Sequence, residues 1–202
     1  MKRRKAISLL CFFAWVLALM PFQLGWEAHG QSDRLSGRTI TGTVYFIGGR
    51  TAGRSLPFRL IINRLTTPDE VNQLNEALQS GQDQLLKVLS RMDAGRIQIG
   101  SDVGVPANAI IASQEGDRTK LTVLYQRNLR FAELRYGARS ADYRFGYAEL
   151  YLGPGGGNQG MLIPAAKVRL KGGNTWEVED FGTFPARLMG LQIRGKGRSD
   201  IR

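Results

Sequence analysis

Four side chains stand out for the chemistry they could do together. Tyr143, Tyr147, Glu149 and Tyr151 recur along one short stretch. The two-residue period of a strand puts them, with Phe145, on one face. An aromatic row beside a carboxylate can stack on sugar rings. The same rings can instead form half of a core, with two hydroxyls wet at its rim. A pair of carboxylates can also hydrolyse a glycoside, a reaction that needs no histidine. Asp142, Glu149, Glu177, Glu179 and Asp180 are the candidates, but no pair is marked out by its spacing.

Other chemistry is excluded by what is missing. The only cysteine is Cys11 and the only histidine is His29. A Ser-His-Asp or Cys-His unit cannot be assembled beyond residue 30. Neither can a disulfide or a Cys/His zinc site. A hard cation could still take oxygen ligands, yet no D-x-[DN]-x-[DN]-G loop appears. No cofactor, metal or catalytic residue is expected.

Both of those residues fall in an amino-terminal segment of a distinct kind. Lys2, Arg3, Arg4 and Lys5 precede an unbroken run from Ala6 to Met20, which Pro21 ends. That is the pattern of a secretory signal peptide. Ala28 and Gly30 flank His29 in an A-x-G arrangement, placing cleavage after Gly30. An uncleaved anchor is the alternative, since Ala6 to Leu24 is about 19 residues, enough to span a bilayer. With cleavage, residues 31–37 become a polar lead-in, 38–193 one domain and 194–202 a basic flexible tail. The destination is periplasmic or extracellular, with no transmembrane segment left.

The whole chain carries 28 basic and 17 acidic residues, a net charge of +11. Without Lys2, Arg3, Arg4, Lys5 and Glu27 the balance is 24 to 16, or +8, and 19 of those 24 cations are arginine. The planar guanidinium suits carboxylate and phosphate partners. The cations are spread thinly, as on an ordinary solvated surface, except for Arg194, Lys196, Arg198 and Arg202 in the tail. Any affinity for acidic polymers should be weak and salt-sensitive.

The elements that must position these residues are mainly strands. Thr39–Ile47 and Leu56–Asn63 form a hairpin-like pair. Thr67-Pro68-Asp69-Glu70 is a capping box. Val71, Leu74 and Leu78 follow at helical spacing, and Leu85 to Met92 make a second short helix after Ser80-Gly81. Strands then resume at 96–99, 108–112, 120–126, 130–135, 143–152, 161–170, 175–181 and 186–194. Gly153 to Gly160 lies between two of them and lacks the Lys and the following helix of a phosphate loop. The fold expected is mainly β: an antiparallel sandwich or partly closed barrel with one inserted helical hairpin at about 67–92.

The 161–181 hairpin specifies its register. A Gly172-Gly173 turn would oppose apolar to polar residues throughout. A three-residue loop adding Asn174 pairs Leu170 with Trp176, Val168 with Val178 and Arg169 with Glu177. It also predicts positive φ at Gly173 or Asn174, Trp176 buried beside Leu170, and an exposed stripe of Lys167, Arg169 and Lys171 partly neutralised by Glu177 and Glu179.

The segments Arg96-Ile97-Gln98-Ile99-Gly100, Tyr143-Arg144-Phe145-Gly146, Ile163-Pro164-Ala165-Ala166-Lys167-Val168 and Trp176-Glu177-Val178-Glu179-Asp180 carry a resemblance. Over about Thr39 to Leu191 the chain resembles a family of uncharacterised exported bacterial proteins. The resemblance implies one domain and export, and no activity or ligand. The function expected is a non-catalytic binding or envelope-associated domain. The alternatives are a carboxylate-based hydrolase of carbohydrate and a weak binder of anionic polymers. Carbohydrate or an anionic envelope polymer is the expected partner, rather than nucleic acid.

Overall fold

The structure, a computed structural model, describes residues 33–48, 52–128, 139–171, 176–181 and 185–195. The proposed signal peptide, the expected strand at 130–135 and the 172–174 turn lie outside them. A 3-10 turn at Asp33–Leu35 leads into β1 (Thr39–Tyr45) and β2 (Ser55–Ile62). Helices α1 (Pro68–Gln79) and α2 (Gln82–Leu89) follow. Then come β3 (Gly95–Ile99), β4 (Val105–Ala107), β5 (Ala109–Glu115), β6 (Arg118–Gln126), β7 (Phe145–Leu152), β8 (Gln159–Leu170), β9 (Trp176–Asp180) and β10 (Ala186–Arg194). Arg194 therefore ends a strand instead of opening a tail. Leu35, in the stretch read as a polar lead-in, is buried in the core.

All ten strands belong to one antiparallel sheet, in the order β4-β3-β2-β1-β10-β8-β7-β6-β5, with β9 paired to β8 off this path. The hydrogen-bonded ladder does not close. Its two ends, however, are consecutive in sequence, with only Asn108 between β4 and β5. The amide of Asn108 is buried there and stitches the seam. Its Nδ2 donates to the Met92 carbonyl (3.0 Å), and its Oδ1 accepts from the Gln126 amide (2.8 Å). Beside it, Thr66 exchanges two hydrogen bonds of 2.8 Å with the Ile110 backbone. Of the two forms expected, this single curled and unclosed sheet is the partly closed barrel, with the helical hairpin packed on it. Sequence periodicity missed β4, which is only three residues long.

Curling gives the sheet two buried surfaces. The interior is filled by Ile40, Val44, Phe58, Leu60, Ile110, Leu121, Val123, Leu150, Leu162 and Leu188, among others. Outside β5–β8, a second cluster joins Leu74, Leu78, Leu85 and Leu89 of the helices to Phe145, Tyr147, Ile163, Val168 and neighbours. A helix of eight residues is marginal alone. Each fully buried leucine contributes about 2 kcal/mol, so packing on the sheet is what holds the hairpin.

Local chemistry sets the ends. Thr67 caps α1 as expected: its hydroxyl accepts from the Glu70 amide, and Glu70 Oε2 accepts from the Thr67 amide. Arg64 clamps both oxygens of Glu70 at 2.7 and 2.8 Å. In β10, Gly190 takes φ +61 where the ladder with β1 shifts between Thr41 and Thr43. That left-handed residue is the signature of a bulge.

The register of β8 and β9 is the one argued from the sequence: Leu170 faces Trp176, Val168 faces Val178, and Arg169 faces Glu177. Trp176 is half-buried, its Nε1 donating to Asn75 Oδ1 of α1 at 2.7 Å. The ion pairs on the wet face are diagonal, Arg169 with Glu179 at 2.9 Å and Lys171 with Glu177 at 3.8 Å.

Candidate functional site

β7 is buried on both faces along most of its length. Its even-numbered residues look into the barrel, Gly146 included. Its odd-numbered residues run out from under the helices. Phe145 and Tyr147 are core, whereas Glu149 and Tyr151 emerge at the margin of the helical layer. Tyr147, Glu149 and Tyr151 meet there as expected. Tyr143 does not join them: it precedes the strand, packs at a tilt against Phe181 with centroids 5.0 Å apart, and donates to Glu179 (2.6 Å).

Glu149 is the hub. The Tyr147 hydroxyl donates to its Oε1 at 2.5 Å and the Tyr151 hydroxyl to its Oε2 at 2.9 Å. Lys120 of β6, which sequence reasoning did not single out, adds an ammonium 2.9 Å from Oε1. Lys120 Nζ also stands 3.3 Å from Glu115 Oε1 and 5.6 Å from the Tyr151 ring centre. The register made this meeting possible: Lys120 lies directly opposite Tyr151, and Thr122 opposite Glu149. A pocket of about 220 Å³ adjoins the cluster, lined by Val71, Ile111, Lys120, Thr122, Tyr147 and Trp176 among others.

Electrostatics set the roles. Burial disfavours a charged Glu149, but hydrogen bonds from Tyr147, Lys120 and Tyr151 outweigh it and hold its pKa below the usual carboxylate range. Burial also disfavours a charged Lys120, and Glu149 reverses that, so its pKa is raised. Tyr147 is pushed up by burial and by its bond to Glu149. One ammonium bridges Glu115 and Glu149, so two carboxylates do lie near each other. A glycosidase needs one of its pair protonated near neutrality, by a raised pKa. Glu149 is shifted the other way, with donors on both oxygens, which suits a closed ionic network.

The remaining candidates are dispersed. Glu177 and Glu179 are taken up in surface ion pairs, and Asp142, itself exposed, ends a 3-10 turn. No group of three or more potential metal ligands occurs among the described residues. No described helix is long and apolar enough to cross a membrane. Lys196, Arg198 and Arg202 lie outside the described residues.

No family model, curated protein or solved structure matches the chain. One surface of the chain is unlike the rest. Among the described residues, the helices and β9 cover the outside of β5–β8, and none covers the outside of β3, β2, β1 and β10. These four strands contain no Asp or Glu. Their outward side chains include Arg96, Arg59, Arg187 and Arg194, all exposed, and none of the four makes an ion pair among the described residues.

The ladder fixes their arrangement. One row across the sheet reads Gln98, Arg59, Thr41, Gln192, and the next reads Arg96, Ile61, Thr39, Arg194. Three strand spacings separate Arg96 from Arg194, about 14 Å. On this face a groove of about 450 Å³ is lined by Thr41, Arg59, Gln98, Arg194 and Asp102 of the loop after β3, among others. Sequence reasoning placed the anion contact in the tail and found only Arg194. The available signal was the absence of acids from four successive-neighbour strands, legible only once β10 is known to pair with β1.

Proposed function

We propose that this protein is an exported, non-catalytic binding module that holds an acidic polysaccharide against the open face of β3-β2-β1-β10. One observation carries the reading: the partition of charge. All five carboxylates in the described strands sit on β5, β7 and β9, where basic residues meet Glu115, Glu149, Glu177 and Glu179. Among the described residues, the arginines of the open face have no such partners. A concentration of unpaired cations attracts a polyanion.

The other groups on this face suit sugars better than bases. Thr39, Thr41, Thr43, Gln98 and Gln192 offer donors and acceptors for hydroxyl groups. Single-stranded nucleic acid is held by stacking on aromatic platforms, and Tyr45 is the sole outward ring on these four strands. Export rests on the cationic amino terminus and the apolar run behind it.

The test is binding of polygalacturonate, with neutral dextran as control, at increasing salt. Polygalacturonate should bind and dextran should not, with affinity falling as salt rises. The triple change Arg59→Gln, Arg96→Gln, Arg194→Gln should weaken binding about tenfold or more, while Glu149→Gln leaves it unchanged. Equal binding of dextran, or an unaffected triple variant, would sink the proposal.

A further inference from the structure

A larger cavity, of about 650 Å³, opens at the end of the barrel, where the β5–β6 turn, the β7–β8 loop and the Asp33–Leu35 turn converge. It shares no residue with the groove on the open face. Its size is that of a small-molecule site, and barrel mouths are a usual place for one.

The lining is unusual at one position. Ile193 lies directly opposite Ile40 in the β1–β10 ladder, and directly opposed residues share a face of a sheet. Ile40 is completely buried in the barrel, yet Ile193 is 44% exposed. Among the described residues, none covers this inward-facing isoleucine at the mouth. Leu35 and Leu152 continue this apolar floor.

The rim has the opposite character. Arg34 and Arg38 both line the cavity, and the Arg38 guanidinium is positioned by the carbonyls of Arg34 and Gly195. Asp117 also borders the space and repels an anion from its own side, toward the arginines. Arg34 is exposed and meets no carboxylate among the described residues. Guanidinium groups take carboxylate or phosphate oxygens through charge-assisted hydrogen bonds.

We propose that the barrel mouth binds an amphipathic anion, its alkyl chain on Ile193, Leu152 and Leu35 and its carboxylate or phosphate head at Arg34 and Arg38. The test titrates the full chain with decanoate, decyl phosphate and neutral decanol below their aggregation concentrations. At least one anion should bind saturably at one per chain, and the stronger of the two identifies the head group. Decanol should bind about tenfold more weakly or worse, and Arg34→Gln should weaken the anion about tenfold.

Ile193→Asp should abolish binding while the far-ultraviolet circular dichroism stays unchanged. Backbone amide shifts in the unsubstituted chain should centre on Thr119, Leu152 and Gly153, which gives a readout independent of either variant. Decanol binding as well as decanoate, the absence of saturation, or shifts centred elsewhere would each overturn the proposal.

Discussion

The ring of Tyr125 occupies the space that any side chain on Gly146 would need. The two are direct partners in the β6–β7 ladder, and a Cβ at 146 would stand 2.0 Å from Tyr125 Cζ. Tyr125 itself is buried in the barrel. Gly146 is therefore required by its neighbour's volume.

Gly146→Ala should overpack the interior and destabilise the protein by about 1–3 kcal/mol. Pairing it with Tyr125→Leu should recover part of that loss, because the smaller side chain vacates the contested space. Urea unfolding of the two single variants and the double variant measures the coupling. Simple additivity would mean that the two positions do not contend for one volume.

The Glu149 network predicts stability falling off at both ends of the pH scale. Glu149 has a folded pKa below its unfolded value near 4.5, so its contribution is present above that value and is lost as pH falls through the folded pKa. Lys120 and Tyr147 are raised, so theirs is present below their ordinary values of 10.5 and 10.0 and is lost as pH rises through the folded ones. In Glu149→Gln both slopes should shrink, with a loss of about 1–3 kcal/mol at neutrality. Thermal melting from pH 3 to 11 reads this. Unchanged slopes in the variant would assign the pH dependence to other groups.

Asn108→Ala removes both hydrogen bonds at the seam between β4 and β5. It leaves the buried Met92 carbonyl and the part-buried Gln126 amide without these partners, at a cost of about 2–4 kcal/mol. Hydrogen exchange should show the Gln126 amide among those whose protection falls most. Protection lost uniformly, with no local excess at the seam, would argue that Asn108 contributes only to global stability.

Several elements were legible because their determinants are local. The Thr67–Glu70 capping box and the Leu170–Trp176 register follow from a few adjacent residues and a period of two or 3.6. The face of β7 was legible for the same reason, and Tyr147, Glu149 and Tyr151 meet on it. Lys120 was not, because its place beside Glu149 depends on how β6 slides against β7. β4 was hidden by its brevity, and the arginine face by a pairing between β1 and β10 that spans most of the chain. Only tertiary pairing separates those arginines from the acids elsewhere in the sequence.

The last of the described strands in sequence is the middle one of the sheet. β1–β4 form one run of neighbouring strands and β5–β8 another, and β10 lies between β1 and β8 to join them. Until its nine residues emerge, each run is a separate open sheet with one apolar face and no barrel to bury it. Such a topology folds slowly and leaves apolar surface and strand edges uncovered meanwhile. A chain that stops short of Ala186 is thus two unfinished sheets awaiting the same missing strand.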